Sequence, residues 1–209
     1  LSSCWASNDL RCHLPEGDAG ESWRLFVAAP LPEDAAAAVH DALAPLRDRF
    51  PAVRWMAPEL LHLTLVFLGE TEASRVPAIT EAVKAVALRH APFQLSTGEA
   101  GGRVDTRPNH RRGGVAWLNL ATGGAETAAL ALDIDAALGT ATYDARRAPH
   151  PHLTIARRVD AVALASLRDA AATLRITWRT DRVVLFRSHT GRAGSRYDEF
   201  ATVALTHRK

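Results

Sequence analysis

The chain has 209 residues, 47% hydrophobic and 23% charged, with a formal net charge of +2. That is enough to bury a real core in one domain or in two small lobes sharing it. The near-neutral charge excludes a protein that coats nucleic acid by bulk charge, so any such contact must come from a local patch. No run approaches the roughly 18 apolar residues of a membrane span, and the N-terminus lacks a signal-peptide apolar segment. The expectation is a cytoplasmic protein with no membrane association. The two cysteines, Cys4 and Cys12, are too few for a zinc or disulfide framework. Hydrophobic periodicity begins only at Ser22, so residues 1–21 are expected to be an extension outside the fold and 22–209 one domain.

In chain order, "RLFVAA" predicts a strand over Arg24 to Ala29, followed by one helix with Val39, Leu43, Leu46 and Phe50 on a face. "VRWMAPELLHLTLVFLGET" predicts a short strand, a turn near Pro58 and a stronger strand from His62 to Leu68, stopped by Gly69. A helix from about Val76 to Arg89 and strands around Pro92 to Glu99 and Val115 to Leu120 follow, the strands joined by a glycine- and arginine-rich connection. "ETAALALDIDAAL" is helical, "PHLTIA" is a strand, "AVALASLRDAAATL" is a helix, and "RITWRTDRVVLFRSH" with "SRYDEFATVALTH" forms a terminal hairpin. About four helices with hairpins as well as strand-helix-strand steps predict an α+β fold rather than a doubly wound parallel sheet. No glycine-rich phosphate loop is present.

Within this pattern "HLTLVFLG" at His62 to Gly69 and "HLTIARRV" at His152 to Val159 match each other and lead into equivalent helices. Chance predicts only about 0.08 His-Leu-Thr matches in such a chain, so two imply a pseudo-symmetric, bilobal architecture. Residues i and i+2 of a strand share a face. His62 and Thr64 therefore point one way and Leu63 and Leu65 the other, as do His152 and Thr154 against Leu153 and Ile155. If the lobes face each other, the histidines converge in a cleft.

Two opposed imidazoles suit in-line displacement at phosphorus, one taking a proton from the attacking oxygen and one giving a proton to the leaving oxygen. An ordinary pKa of about 6.5 lets histidine do either job near neutrality. The threonine hydroxyls can donate to non-bridging phosphate oxygens. This chemistry requires no metal and no cofactor. A metal strand built on His150 and His152 lacks a third ligand, and the first copy has Leu60 where the second has His150. Strict alternation puts Arg157 on the leucine face, so its use in the cleft would need a bulge or a strand end. Phe26 and Trp55 could stack a base, although aromatics in such strands are more often core. The stretch Gly101 to Gly114 carries four arginines, Arg107, Arg111 and Arg112 among them, and is the best local candidate for gripping a nucleic-acid backbone.

The chain resembles the two-histidine phosphoesterases, and within them the RNA 2′,3′-cyclic phosphodiesterases also called 2′-5′ RNA ligases. The resemblance rests on "RLFVAAPLPE", "VRWMAPELLHLTLVFLGE", "PHPHLTIAR" and "LFRSHTGRAGSRYDEFATVAL". It implies a bilobal α+β fold with antiparallel sheets lining a central cleft and helices outside. It also implies opening of a terminal cyclic phosphate to a 2′-phosphomonoester. In such a protein His62 would be the proton donor, His152 the acceptor, Thr64 and Thr154 the phosphate ligands, and Arg157 a neutralising charge. The partners expected are RNA ends bearing a cyclic phosphate, tRNA halves included, met by a monomer, with His150 a further RNA contact. Two alternatives stay open: a phosphodiesterase for a small cyclic phosphate or a 2′-5′ oligonucleotide, and an RNA-binding module without useful catalysis.

Overall fold

The apolar alternation of the strands produces one buried and one open face, as in "GVAWLNL", where Ala116 and Leu118 are fully buried and Trp117 and Asn119 only half-buried. The computed structural model describes residues 21–104, 113–143, 148–191 and 194–206. Their elements run β1 (Ser22–Pro30), α1 (Glu33–Ala42), α2 (Ala44–Arg49), β2 (Arg54–Trp55), β3 (His62–Glu72) and α3 (Val76–Ala87). There follow β4 (Phe93–Arg103), β5 (Gly114–Thr122), α4 (Gly124–Leu138), β6 (His152–Val159), α5 (Ala161–Ala171), β7 (Thr177–Thr180), β8 (Arg182–Gly191) and β9 (Gly194–Ala204).

The strands make a single curled sheet in the order β7-β4-β5-β6-β3-β1-β8-β9, with β2 laid on β6, and every pairing is antiparallel. The middle of the sheet is thin: β3 and β6 pair only at Leu63 and Leu153. On either side lies a four-stranded half, β7-β4-β5-β6 and β3-β1-β8-β9, which realises the two lobes implied by the repeat.

Helices cover one face of the sheet, and they cross over. The helix that leaves β1 does not pack on its own half: Ala35, Ala36 and Val39 of α1 join Leu118, Leu153 and Ile155 of the other. Conversely, α4 leaves β5 but buries Leu130 and Ile134 against Leu25, Val27 and Leu65. Each core therefore holds a helix from the opposite half.

Four local expectations change. The first helix breaks at Leu43, because Pro45 cannot donate to the preceding turn. Gly69, at φ 68°, does not stop β3 but sits beside a bulge at Leu68 through which the strand continues to Glu72. The strand β4 runs on to Arg103, because Gly101 and Gly102 are part of it: a Cβ on Gly101 would lie 2.4 Å from the Trp117 indole nitrogen. Finally, "RITWRTDRVV" is not continuous. Its first part, β7, pairs with β4 at one edge of the sheet, while the part after Asp181, β8, pairs with β1 and β9 across the molecule.

Candidate active site

Leu63 and Leu153 lie directly opposite each other and are fully buried, so both face the helices. The flanking residues His62, Thr64, His152 and Thr154 therefore all project from the bare face, each half-buried. A single strand pair thus brings both motifs together.

The two imidazoles are held alike. His62 Nδ1 is 2.8 Å from the Leu60 carbonyl, and His152 Nδ1 is 2.7 Å from the His150 carbonyl. A carbonyl only accepts, so in each ring Nδ1 carries the proton and Nε2 is turned to the cleft. Both anchors come from the residue two positions upstream, which explains why leucine and histidine are interchangeable there. His150 serves through its backbone, and its exposed ring lies 5.7 Å from that of His152. The Thr64 hydroxyl, 3.1 Å from His62 Nε2, donates to the neutral ring.

Aromatic walls back each histidine. Phe26, Phe186 and Tyr197 place ring centroids 5.1, 6.2 and 5.3 Å from His62, and Trp117 lies 5.3 Å from His152. The Trp117 indole donates to Asn119 Oδ1 at 3.0 Å. Trp117, Phe186 and Tyr197 were missed in the sequence, where the half-polar alternation of "AWLNL" was the available signal for the first. Beside His62 a cavity of about 370 Å³ opens between Leu60, Phe186, Arg196, Tyr197 and Glu199.

Burial pushes the His62 imidazole down from 6.5 to about 4, against its bond to the Leu60 carbonyl and helped by the charges of Arg157 and His152. Burial lowers His152 as well, opposed by its bond to the His150 carbonyl. At neutral pH the free site presents two uncharged rings, each with a basic Nε2.

A bulge redirects Arg157. Across from β5, Thr154 meets Trp117 and Ala156 meets Ala116, leaving Ile155 as an extra residue. Ile155 and Ala156 both turn inward, 2% and 1% exposed, and the alternation resumes one step out of phase. Arg157 consequently lies on the histidine face, and its charge is felt at His62. The first copy has the same bulge at Leu65 and Val66, which leaves Phe67, the counterpart of Arg157, 61% exposed on that face. Arg54, opposite Arg157 in β2, is an exposed arginine at the same rim.

Two candidate base contacts are corrected. Phe26 is 3% exposed within a cluster with Phe186 and Tyr197, so it supports His62 and offers no free face. Trp55 pairs with the inward-facing Ala156, packs on the helix-side core and donates to the Phe50 carbonyl at 3.3 Å, on the face away from the histidines. Arg107, Arg111 and Arg112 lie outside the described residues. Among the described residues, no three His, Cys, Asp or Glu side chains converge as metal ligands, and no helix is long and apolar enough to cross a membrane.

This fold and motif pair define a class, and the family model for the 2′-5′ RNA ligase superfamily matches residues 32–192. The chain belongs to that superfamily. An RNA 2′,3′-cyclic phosphodiesterase of Geobacillus stearothermophilus is 31% identical over 64% of this chain, though the match spans only 41% of that protein's length. An RNA 2′,3′-cyclic phosphodiesterase of Escherichia coli is 28% identical over 89% of this chain and 98% of its own. The crystal structure of Escherichia coli LigT in apo form superposes with a TM-score of 0.67 at 25% identity, over 89% of this chain and 99% of that one.

Proposed function

We propose that this protein hydrolyses the terminal 2′,3′-cyclic phosphate of RNA to a 2′-phosphomonoester, with His62 and His152 as its acid and base. The observation that carries this reading is the pair of cleft-facing Nε2 atoms, each set by an Nδ1 bond to a carbonyl, on one face around the Leu63 and Leu153 pair. His152 Nε2 takes a proton from water as the water oxygen bonds to phosphorus. The bond from phosphorus to O3′ breaks, and that oxygen receives the proton from His62 Nε2.

The donor must first be protonated, and the low pKa of the free His62 works against this. A bound phosphodiester anion supplies the missing charge, since an opposite charge at close range favours imidazolium. Once Nε2 carries a proton it no longer accepts from Thr64, and that hydroxyl is released to donate to a non-bridging oxygen. Thr154 and Arg157 take the opposite side of the phosphate, and Phe67 offers its exposed face to a base.

The test is end-group analysis of a cyclic-phosphate RNA incubated in EDTA. A 2′-phosphate product is expected; a 3′-phosphate product would reverse the regiochemistry, and loss of turnover in EDTA would sink the metal-free scheme. His62→Ala and His152→Ala should each lower turnover by roughly 10² to 10⁴. Full activity in both variants would overturn the assignment. A second reading, hydrolysis of a small cyclic nucleotide, is favoured by the cavity beside His62, which is of mononucleotide-binding size. Comparing a cyclic mononucleotide with an RNA carrying the same end separates the two. Joining of RNA ends would be the same displacement with a 5′-hydroxyl in place of water as the nucleophile.

A further inference from the structure

The matching bulges leave a matching loose end. In β6 the extra residue Ile155 directs its carbonyl to the side vacated where β3 and β6 part, and the Met56 backbone N–H donates to it at 2.9 Å. Met56 belongs to the segment that leads from α2 into the first histidine motif. In β3 the extra residue is Leu65, and no strand equivalent to β2 lies beside it among the described residues. Its carbonyl accepts instead from the Tyr143 hydroxyl at 2.5 Å. Tyr143 belongs to the segment that leads from α4 into the second motif, so each motif strand is tied by the chain entering the other.

The turn that presents Tyr143 is fixed by Asp135, a 6% exposed carboxylate near the end of α4. It accepts from the Thr140 hydroxyl, from Thr142 N at 2.9 Å and from Tyr143 N at 3.3 Å, and the turn holds Ala141 at φ 50°. The ring packs against the core of the β3 half. Without its hydroxyl, the Leu65 carbonyl loses this partner one residue beyond Thr64 and three beyond His62.

We propose that Tyr143 is a positioning residue: its hydroxyl takes the place of a missing strand, locks the β3 bulge and holds His62 and Thr64 in register with His152 across the single Leu63 and Leu153 pair. This rests on the catalytic reading above, but one of its readouts does not. In Tyr143→Phe, which keeps the ring packing, kcat should fall roughly 10-fold to 100-fold, the size of effect that misplacing catalytic groups by an ångström produces. KM should change less than about twofold. The slackened site should also admit water, so the His62 titration followed by NMR should rise from about 4 toward 6.5. The charged or titratable groups around His62, namely Glu59 from the turn before β3, His152 and Arg157 from β6, and Arg196, Tyr197 and Glu199 from β9, are all unchanged in that variant.

A folded Tyr143→Phe protein with wild-type kcat and wild-type His62 titration would overturn the proposal. If that variant does not fold, Asp135→Asn loosens the same turn while keeping its shape. It should shift both readouts in the same direction by a smaller amount, and no shift in either would overturn the proposal equally. Should the wild-type protein prove inactive on cyclic phosphates, the catalytic reading fails, while the His62 titration still reports on the tie.

Discussion

His62 does two things that pull against each other: burial helps aim it, and burial keeps it uncharged. Under the proposed chemistry the two conflict, and the second also appears in stability. An unfolded His62 takes a proton near pH 6.5, and the folded one only near 4. Above 6.5 neither state is protonated and the fold loses nothing. Between 6.5 and 4 protons bind the unfolded chain in preference, and stability falls by up to about 3 kcal/mol. Urea unfolding at pH 7 and pH 4.5 should show this loss in the wild type and a smaller one in His62→Asn; identical pH slopes would contradict the burial account. The histidines and threonines were legible as a pair because the motif occurs twice. Their carbonyl anchors and aromatic walls were not, since Leu60, Phe186 and Tyr197 carry no local mark of the site.

Single-residue slips in the ladder decide which side chains reach the cleft. In "HLTIAR" and "HLTLVF" the alternation breaks at a doubled apolar pair, Ile155 with Ala156 and Leu65 with Val66, and this doubling is the readable sign of each bulge. A strict period of two hides it and sends Arg157 to the wrong face. Just beyond, Asp160 caps α5 by accepting from Ala163 N at 2.7 Å, which fixes how that helix leaves β6. Asp160→Ala should cost about 1 kcal/mol in thermal or denaturant unfolding. An unchanged midpoint would show the cap to be energetically idle. The split of "RITWRTDRVV" had no comparable sign, because whether β7 joins β4 or continues toward β1 depends on partners distant in the chain.

The halves are joined in the sheet by one residue pair and beneath it by exchanged helices. Leu63 and Leu153, both 0% exposed, sit at that junction, and Leu153→Ala should lower unfolding free energy by about 2 to 5 kcal/mol. Separate unfolding of the halves, seen as two transitions, would contradict their interlocking. The repeat made two lobes legible, yet it could not reveal that α1 and α4 trade places, since each helix has an ordinary apolar stripe that would fit either half. That exchange governs the order of assembly during synthesis. The first helix leaves the ribosome before the strands it will cover exist, and β1 waits for β8, with Leu25 finally facing Arg187. Such long-range closure slows folding. Until the last hairpin emerges, the nascent chain carries an unpaired strand edge and an uncovered apolar face, the surfaces a chaperone binds.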